Sequence, residues 1–225
     1  MLRRLATLTL ALSMSLTAFA PEASARGFAS APADRLVEID GADAIRRPTP
    51  RLSEETKARL KKVLASRRTR NVKAFRAYAL RGVYPHNYVT SGELNVWIDN
   101  DGHMCAAATM IFKSGHKKLV RQTAKDNNYI RLADVTDGAL MDWILTSGLT
   151  HAEVIAIQAP MVGGPEMPVE IPENPIDWRI AEDARLRALY NEVLVQLGQN
   201  RTDSLDAAVD ALTFRPDLVA KLLAA

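Results

Sequence analysis

The apolar residues between Ser53 and Gly82 recur at helical spacing, and this stripe constrains the fold more than any other feature of the sequence. Ser53 is placed to cap a helix, and Gly82 followed by Pro85 is typical of a helix end. Polar residues between 67 and 71 interrupt the stripe, so the pattern allows either one long helix or two shorter ones. Its apolar members are Leu60, Val63, Leu64, Val72, Phe75 and Ala79.

Later segments predict a mainly α fold, a small helical domain with a minor two-stranded β element. Residues 94–98 alternate like a strand, an Asp-Asn-Asp-Gly turn follows at 99–102, and residues 129–132 are the expected partner strand. Two of the expected helices end in Ser-Gly, at positions 114–115 and 147–148. The further helices are expected over 104–112, 116–125, 137–148, 150–157, 176–198, 204–212 and from Pro216 onwards.

The positions of the prolines, the glycines and the expected helices also predict the domain organisation. We expect a flexible leader over 26–52, the helical domain with its β element over 53–160, and a proline-rich linker over 161–175. A C-terminal helical tail is expected over 176–225.

The first 25 residues have the pattern of a cleavable secretory signal peptide. Arg3 and Arg4 precede an uncharged, mostly apolar stretch over 5–20, and Ala23-Ser24-Ala25 forms a small-residue cleavage site. The pattern predicts a periplasmic or secreted bacterial protein. No later segment is apolar enough to predict a transmembrane span in the mature chain.

Cys105 is the only cysteine, so the chain has no internal disulfide and its stability must come from packing. The hydrophobic content of 48% suits a globular core and excludes disorder throughout.

Charge is distributed unevenly along the chain. Residues 46–81 contain 13 Lys and Arg against 2 acidic residues, whereas residues 132–225 contain 6 against 15. The basic segment is either a solvated helix face, a lobe that attracts the acidic half, or a surface for an anionic polymer or membrane. The candidate basic patch consists of Arg67, Arg68, Arg70, Lys73 and Arg76.

Cys105 is the candidate for catalysis, because it follows a turn where a helix is expected to begin, and a helix N-terminus favours the thiolate. His103, or one of His86, His116 and His151 if the fold brings it close, would complete a hypothetical Cys–His site for a thiol-dependent hydrolase or transferase, with Asp99 or Asp101 as the orienting acid. Alternatively, Cys105 is a small hydrophobe in a tightly packed core. A third hypothesis is a homo-oligomer bridged through Cys105.

The sequence predicts neither a metal site nor a cofactor. The Asp-Asn-Asp-Gly segment resembles part of a calcium loop, but its twelfth position is Ala108 rather than glutamate. The histidines and the cysteine lack zinc-ligand spacing, and glycine-rich phosphate loops and serine-nucleophile elbows are absent from the sequence.

Residues 97–106, 113–115 and 142–158 resemble a group of uncharacterised exported bacterial proteins. Those proteins share a strand, an Asp-x-x-Gly-x-x-Cys-Ala turn into a helix, and a Ser-Gly-Leu-Thr helical hairpin. The resemblance implies that residues 94–160 form one structural unit containing Cys105, and it implies no activity. The charge asymmetry and the missing catalytic motifs make a non-enzymatic, exported or envelope-associated binding module with a basic face the leading functional hypothesis.

Overall fold

The computed structural model describes residues 51–164 and 177–224, all within one compact unit. The predicted signal peptide, nearly all of the leader and most of the linker lie outside the described residues. The described elements are α1 (Glu54–Arg81), β1 (Glu93–Leu94), α2 (Ala106–Lys113), α3 (Lys117–Asp126), a 3₁₀ turn (Leu132–Asp134), α4 (Gly138–Thr146), α5 (His151–Ile157), β2 (Met161–Val162), α6 (Asp177–Gln199), α7 (Arg201–Ala211) and α8 (Pro216–Ala224). The mainly helical prediction is confirmed.

The stripe between Ser53 and Gly82 forms one uninterrupted helix, α1. The Ser53 hydroxyl accepts a hydrogen bond from the Thr56 N–H, and Gly82 ends the helix in the left-handed region at a φ of 66°. Arg68 and Asn71 are buried along with the apolar residues, so the stripe continues through two polar side chains.

The small sheet is antiparallel, but its strands are not the pair that the sequence predicts. β1 pairs with β2, with Leu94 opposite Met161. The expected partner segment instead has its backbone bonded by the Gln158 side chain, which donates to the Ile130 carbonyl and accepts from the Leu132 N–H. Because those backbone groups are already satisfied, the segment has no need of a strand partner.

The turn after residue 98 forms as predicted. Gly102 adopts a φ of 81°, and an antiparallel bridge joins Ile98 to Met104. This turn leads directly into Cys105, which is the N-cap of α2. The capping box that the sequence predicts at Thr150 is also present, with reciprocal bonds between Thr150 and Glu153.

Two hydrophobic cores lie along α1. Phe75 and Tyr78 belong to the larger core, which also contains most of α2 and the α6 residues Leu186 and Tyr190. Leu60 and Leu64 belong to the smaller core, which α7 and α8 complete. The C-terminal helices therefore bury apolar surface against both ends of α1.

None of the helices in the described segments has both the length and the hydropathy that a bilayer span requires.

Candidate functional site

A cationic cleft of about 360 Å³ lies where the middle of α1 meets the C-terminal ends of α2 and α4. Its volume is within the range of small-molecule sites, about 300–1,000 Å³. The positively charged or protonatable side chains that line it are Arg67, Arg70, Lys113 and His116. The remaining lining residues are Asn71, Ala74, Ser114, Trp143, Thr146 and Ser147.

Two Ser-Gly helix ends build the walls of this cleft. The Ser114 hydroxyl donates to the Ile111 carbonyl at 2.8 Å, and the Ser147 hydroxyl donates to the Ile144 carbonyl at 2.7 Å. Each serine thereby satisfies a carbonyl of its own last turn. At the second end, Gly148 lies against the backbone of α1, where an added Cβ would overlap the Leu64 carbonyl. This close approach places the end of α4 beside α1.

Arg67 and Asn71 of α1 bind the carbonyl end of α4. Arg67 Nη1 donates to the Thr146 carbonyl at 3.3 Å, and Asn71 Nδ2 donates to the Ser147 carbonyl at 2.9 Å. A cation at a helix C-terminus is favourable on its own account. The bond to Thr146 uses only one of the five N–H groups of Arg67, so the guanidinium keeps donors for another partner.

Arg67 and Arg70 lie about one helical turn apart on α1 and both line the cleft, and no carboxylate of the described residues lines it with them. Burial and the positive charge of Arg70 both lower the pKa of Arg67. Within residues 51–164 and 177–224, no Asp or Glu lines the cleft or forms an ion pair with Arg67, Arg70 or Lys113. The cleft therefore concentrates positive charge that the described part of the chain does not neutralise.

Some other arginines of the fold have carboxylate partners. Arg185 is paired with Glu182 at 2.7 Å, and Arg215 is paired with Asp142 at 2.6 Å. The cleft is different, and an anion bound there would reduce the repulsion between Arg67 and Arg70.

The three hydroxyls of the cleft are already used by the backbone. The Thr146 hydroxyl donates to the Asp142 carbonyl at 2.7 Å, just as the Ser114 and Ser147 hydroxyls donate to carbonyls of the preceding helical turn. Ser114 Oγ also accepts from Trp143 Nε1 at 2.8 Å and lies 3.1 Å from His116 Nδ1. Because the Ser114 proton is directed at Ile111, His116 does not receive it as a general base would.

The predicted basic patch is not one surface. Arg67 and Arg70 meet in the cleft, whereas Lys73 and Arg76 are exposed elsewhere on α1. Arg76 follows Arg67 by two and a half helical turns, at about 3.6 residues per turn, and so lies on the opposite side of the helix.

Arg68 does not contribute to a basic surface, contrary to the sequence prediction, because only 2% of it is exposed. Its guanidinium makes two parallel bonds to the Glu153 carboxylate, each 2.7 Å long, and also donates to the carbonyls of Gly148 and Leu197. A buried arginine with a bidentate carboxylate partner is part of the scaffold.

Cys105 is buried in the larger core, with 1% of it exposed. Its Sγ accepts a hydrogen bond from the Ala108 N–H at 3.4 Å. Burial nevertheless raises the pKa of the thiol to about 12, against the smaller lowering by the helix N-terminus. The thiol is therefore neutral at physiological pH, which is the opposite of what a nucleophile requires. A bridge between two copies would require Sγ to leave this core.

His103 and Asp101 belong to the turn before α2. The buried Asp99 carboxylate organises that turn, accepting from the N–H groups of Asp101 and His103 at 3.0 and 2.8 Å and lying 3.2 Å from His103 Nδ1. In the described segments, these three residues are the only group of three or more His, Cys, Asp or Glu residues close enough to hold a metal ion. Because Asp99 is occupied by the turn, the group is explained as a turn motif.

Lys113 and Trp143 were not predicted from the sequence as members of a site, and His116 was predicted only as a possible partner of Cys105. The available signal was the repeated Ser-Gly helix end, since the cleft is formed where both ends meet α1. The repeat indicated where helices end, but not that the two ends converge.

Comparison with known proteins gives no match: no family model, no curated protein and no solved structure matches this chain.

Proposed function

We propose that this protein is an exported, non-enzymatic binding module that holds an anionic group of an envelope-associated partner in the cationic cleft. The observation that carries the proposal is the pair Arg67 and Arg70, with Lys113 nearby, around a cavity that no described carboxylate lines. The pattern of the first 25 residues supports export. The partner is an anionic polymer or the anionic surface of a membrane.

Binding, rather than catalysis, suits the groups that line the cleft. Two guanidiniums and an ammonium attract and orient an anion, with Arg67 and Arg70 able to offer parallel N–H groups to phosphate or carboxylate oxygens. The hydroxyls of the cleft are bonded to backbone carbonyls and are not activated. Cys105, the one candidate nucleophile of the sequence analysis, is buried and neutral.

Retention on heparin and on anionic phospholipid vesicles tests this proposal. The purified protein is expected to bind at low salt and to be released as salt is added, because cations at an open cleft are screened. Replacing Arg70→Glu together with Lys113→Glu is expected to weaken binding at least tenfold, since charge-assisted hydrogen bonds contribute about 1.5–3 kcal/mol each.

Lys73→Glu with Arg76→Glu is the matched control, because it makes the same change in net charge on exposed positions outside the cleft. The control is expected to lose much less affinity. Equal losses in the two double variants would show that binding is diffuse and not a property of the cleft. Failure of the unmodified protein to bind either probe at low salt would contradict the proposal entirely.

A further inference from the structure

A second cavity of about 330 Å³ adjoins the cationic cleft. It lies between α3, α4 and α8, and its apolar walls are Leu119, Ala139, Leu218 and Leu222. Arg67, His116, Trp143 and Thr146 line both cavities, so the two adjoin at these residues. We call this second cavity the apolar groove.

The apolar groove has one carboxylate among its lining residues, and that carboxylate has an arginine partner. Asp142 lines the groove and is bound at 2.6 Å by Arg215, which also binds Asp217 at 3.1 Å. Lys221 adds a further cation at the α8 side. The lining is thus positively charged in the cleft and largely apolar in the groove. Among the described residues, the one carboxylate that lines either cavity, Asp142, has an arginine partner.

We propose that the cleft and the groove together bind one molecule of an anionic amphiphile, with its charged headgroup at Arg67 and Arg70 and its hydrocarbon chain along Leu119 and Leu222. This inference rests on the proposed function and names the ligand class of the same site. A long anionic polymer would use the cleft but gain nothing from the groove. An amphiphile uses both, because it satisfies the cations and removes apolar walls from water.

Trp143 marks the junction between the two parts of the ligand. Its indole N–H is fixed on Ser114, at the cleft, while the residue also lines the groove. A bound chain would pass along this residue, so occupancy of the junction is expected to change the contribution of Trp143 to a tryptophan emission that it shares with Trp97 and Trp178.

Titration with a series of n-alkyl phosphates, at concentrations below micelle formation, tests the inference by calorimetry, with tryptophan fluorescence as a second measurement. Affinity is expected to increase roughly fourfold for each methylene that enters the groove and to level off once the groove is filled. Leu119→Gln is expected to flatten this dependence while leaving the affinity for inorganic phosphate unchanged.

Leu80→Gln is the matched control, because Leu80 is exposed on α1 and does not line either cavity. It is expected to keep the full dependence on chain length. If Leu119→Gln fails to fold, Ala139→Glu supplies the test, since Ala139 is an exposed residue of the groove and its change places a negative charge there.

The outcomes separate this inference from the proposed function. Binding of heparin with no dependence on alkyl chain length would overturn the amphiphile while leaving the anion-binding cleft in place. Binding to vesicles without binding to monomeric alkyl phosphates would also overturn it, because the ligand would then be a membrane surface. Self-association that Ala139→Glu abolishes would assign the groove to a second copy and overturn it as well. Failure of every anionic probe would contradict both proposals.

Discussion

At the scale of single residues, Arg67 and Arg68 show how neighbouring identical side chains acquire different roles. Arg67 lines the cleft, whereas Arg68 points into the fold and joins the Glu153 carboxylate. Position along the helix decides the difference. Arg68 follows Leu64 by four residues and precedes Phe75 by seven, which places it on the buried stripe of α1.

Replacing Arg68→Ala is expected to lower the free energy of unfolding by about 3–5 kcal/mol, because it leaves the Glu153 charge partly buried without its partner. Urea unfolding of the variant measures this loss. Arg76→Ala, an exposed change on the same helix, is the control and is expected to shift stability by less than about 0.5 kcal/mol. Similar losses for the two variants would show that the buried pair has no special role.

The sequence indicated that Arg68 lies on the apolar stripe of α1, but it did not indicate the partner that allows its burial. Its spacing from Leu64 and Phe75 placed it on the stripe, but a buried arginine requires a carboxylate, and Glu153 lies 85 positions away. Sequence reasoning treated the residue as an interruption because its partner is brought close only by the fold. Burial of Cys105, one of the alternatives for that residue, is confirmed.

At the scale of elements, signals carried by a few adjacent residues predicted structure well. The Ser53 cap, the Thr150 capping box and the Gly102 turn are all present. The partner of β1 was predicted wrongly, because a short strand does not specify its partner and the Gln158 side chain occupies the backbone of the expected segment. The cleft was missed for a related reason, since it depends on two helix ends meeting a third helix.

Gly148 is a helix boundary where both the backbone conformation and a close neighbour oppose substitution. Gly148→Ala is expected to lower the free energy of unfolding by about 1–2 kcal/mol, because an alanine is strained at the Gly148 φ of 80°. Overlap of the added Cβ with the Leu64 carbonyl is expected to lower it by about 1–3 kcal/mol more. Gly138→Ala separates the two effects, because Gly138 has a similar φ of 75° and nothing within 4 Å of an added Cβ. Thermal or urea unfolding of both variants measures the difference. Equal losses of unfolding free energy in Gly148→Ala and Gly138→Ala would mean that α1 and the end of α4 move apart easily.

At the scale of the whole molecule, Glu153 connects three regions of the chain. It accepts hydrogen bonds from Arg68 of α1, the Thr150 N–H before α5 and Ser204 of α7. Burial by itself raises the pKa of Glu153, but these hydrogen bonds outweigh burial and the pKa is lowered.

The lowered pKa of Glu153 gives the stability a defined dependence on pH. Its contribution is fully present above the pKa of an unfolded glutamate, about 4.3, and is lost as the pH falls through the lower pKa of the folded state. Urea unfolding at a series of acid pH values is expected to show a steeper loss of stability for the unmodified protein than for Glu153→Gln. Parallel curves for the two proteins would contradict this linkage.

The charge asymmetry of the sequence is partly used within the fold. The basic helix α1 forms ion pairs with acidic residues from the second half of the chain, Lys61 with Asp206 and Arg68 with Glu153. The attraction between oppositely charged halves that the sequence allowed is therefore present at those positions. The positively charged residues of the cleft take no part in these ion pairs.

The position of α1 in both cores has a consequence for biosynthesis. The helix is synthesised before its principal partners, and α6, α7 and α8, which complete the cores, follow all the other described elements in the chain. A nascent chain that ends before α6 exposes apolar surface at both ends of α1. Neither core is complete until these helices have been translated, so a product terminated before α6 is a ready target for chaperones and proteases.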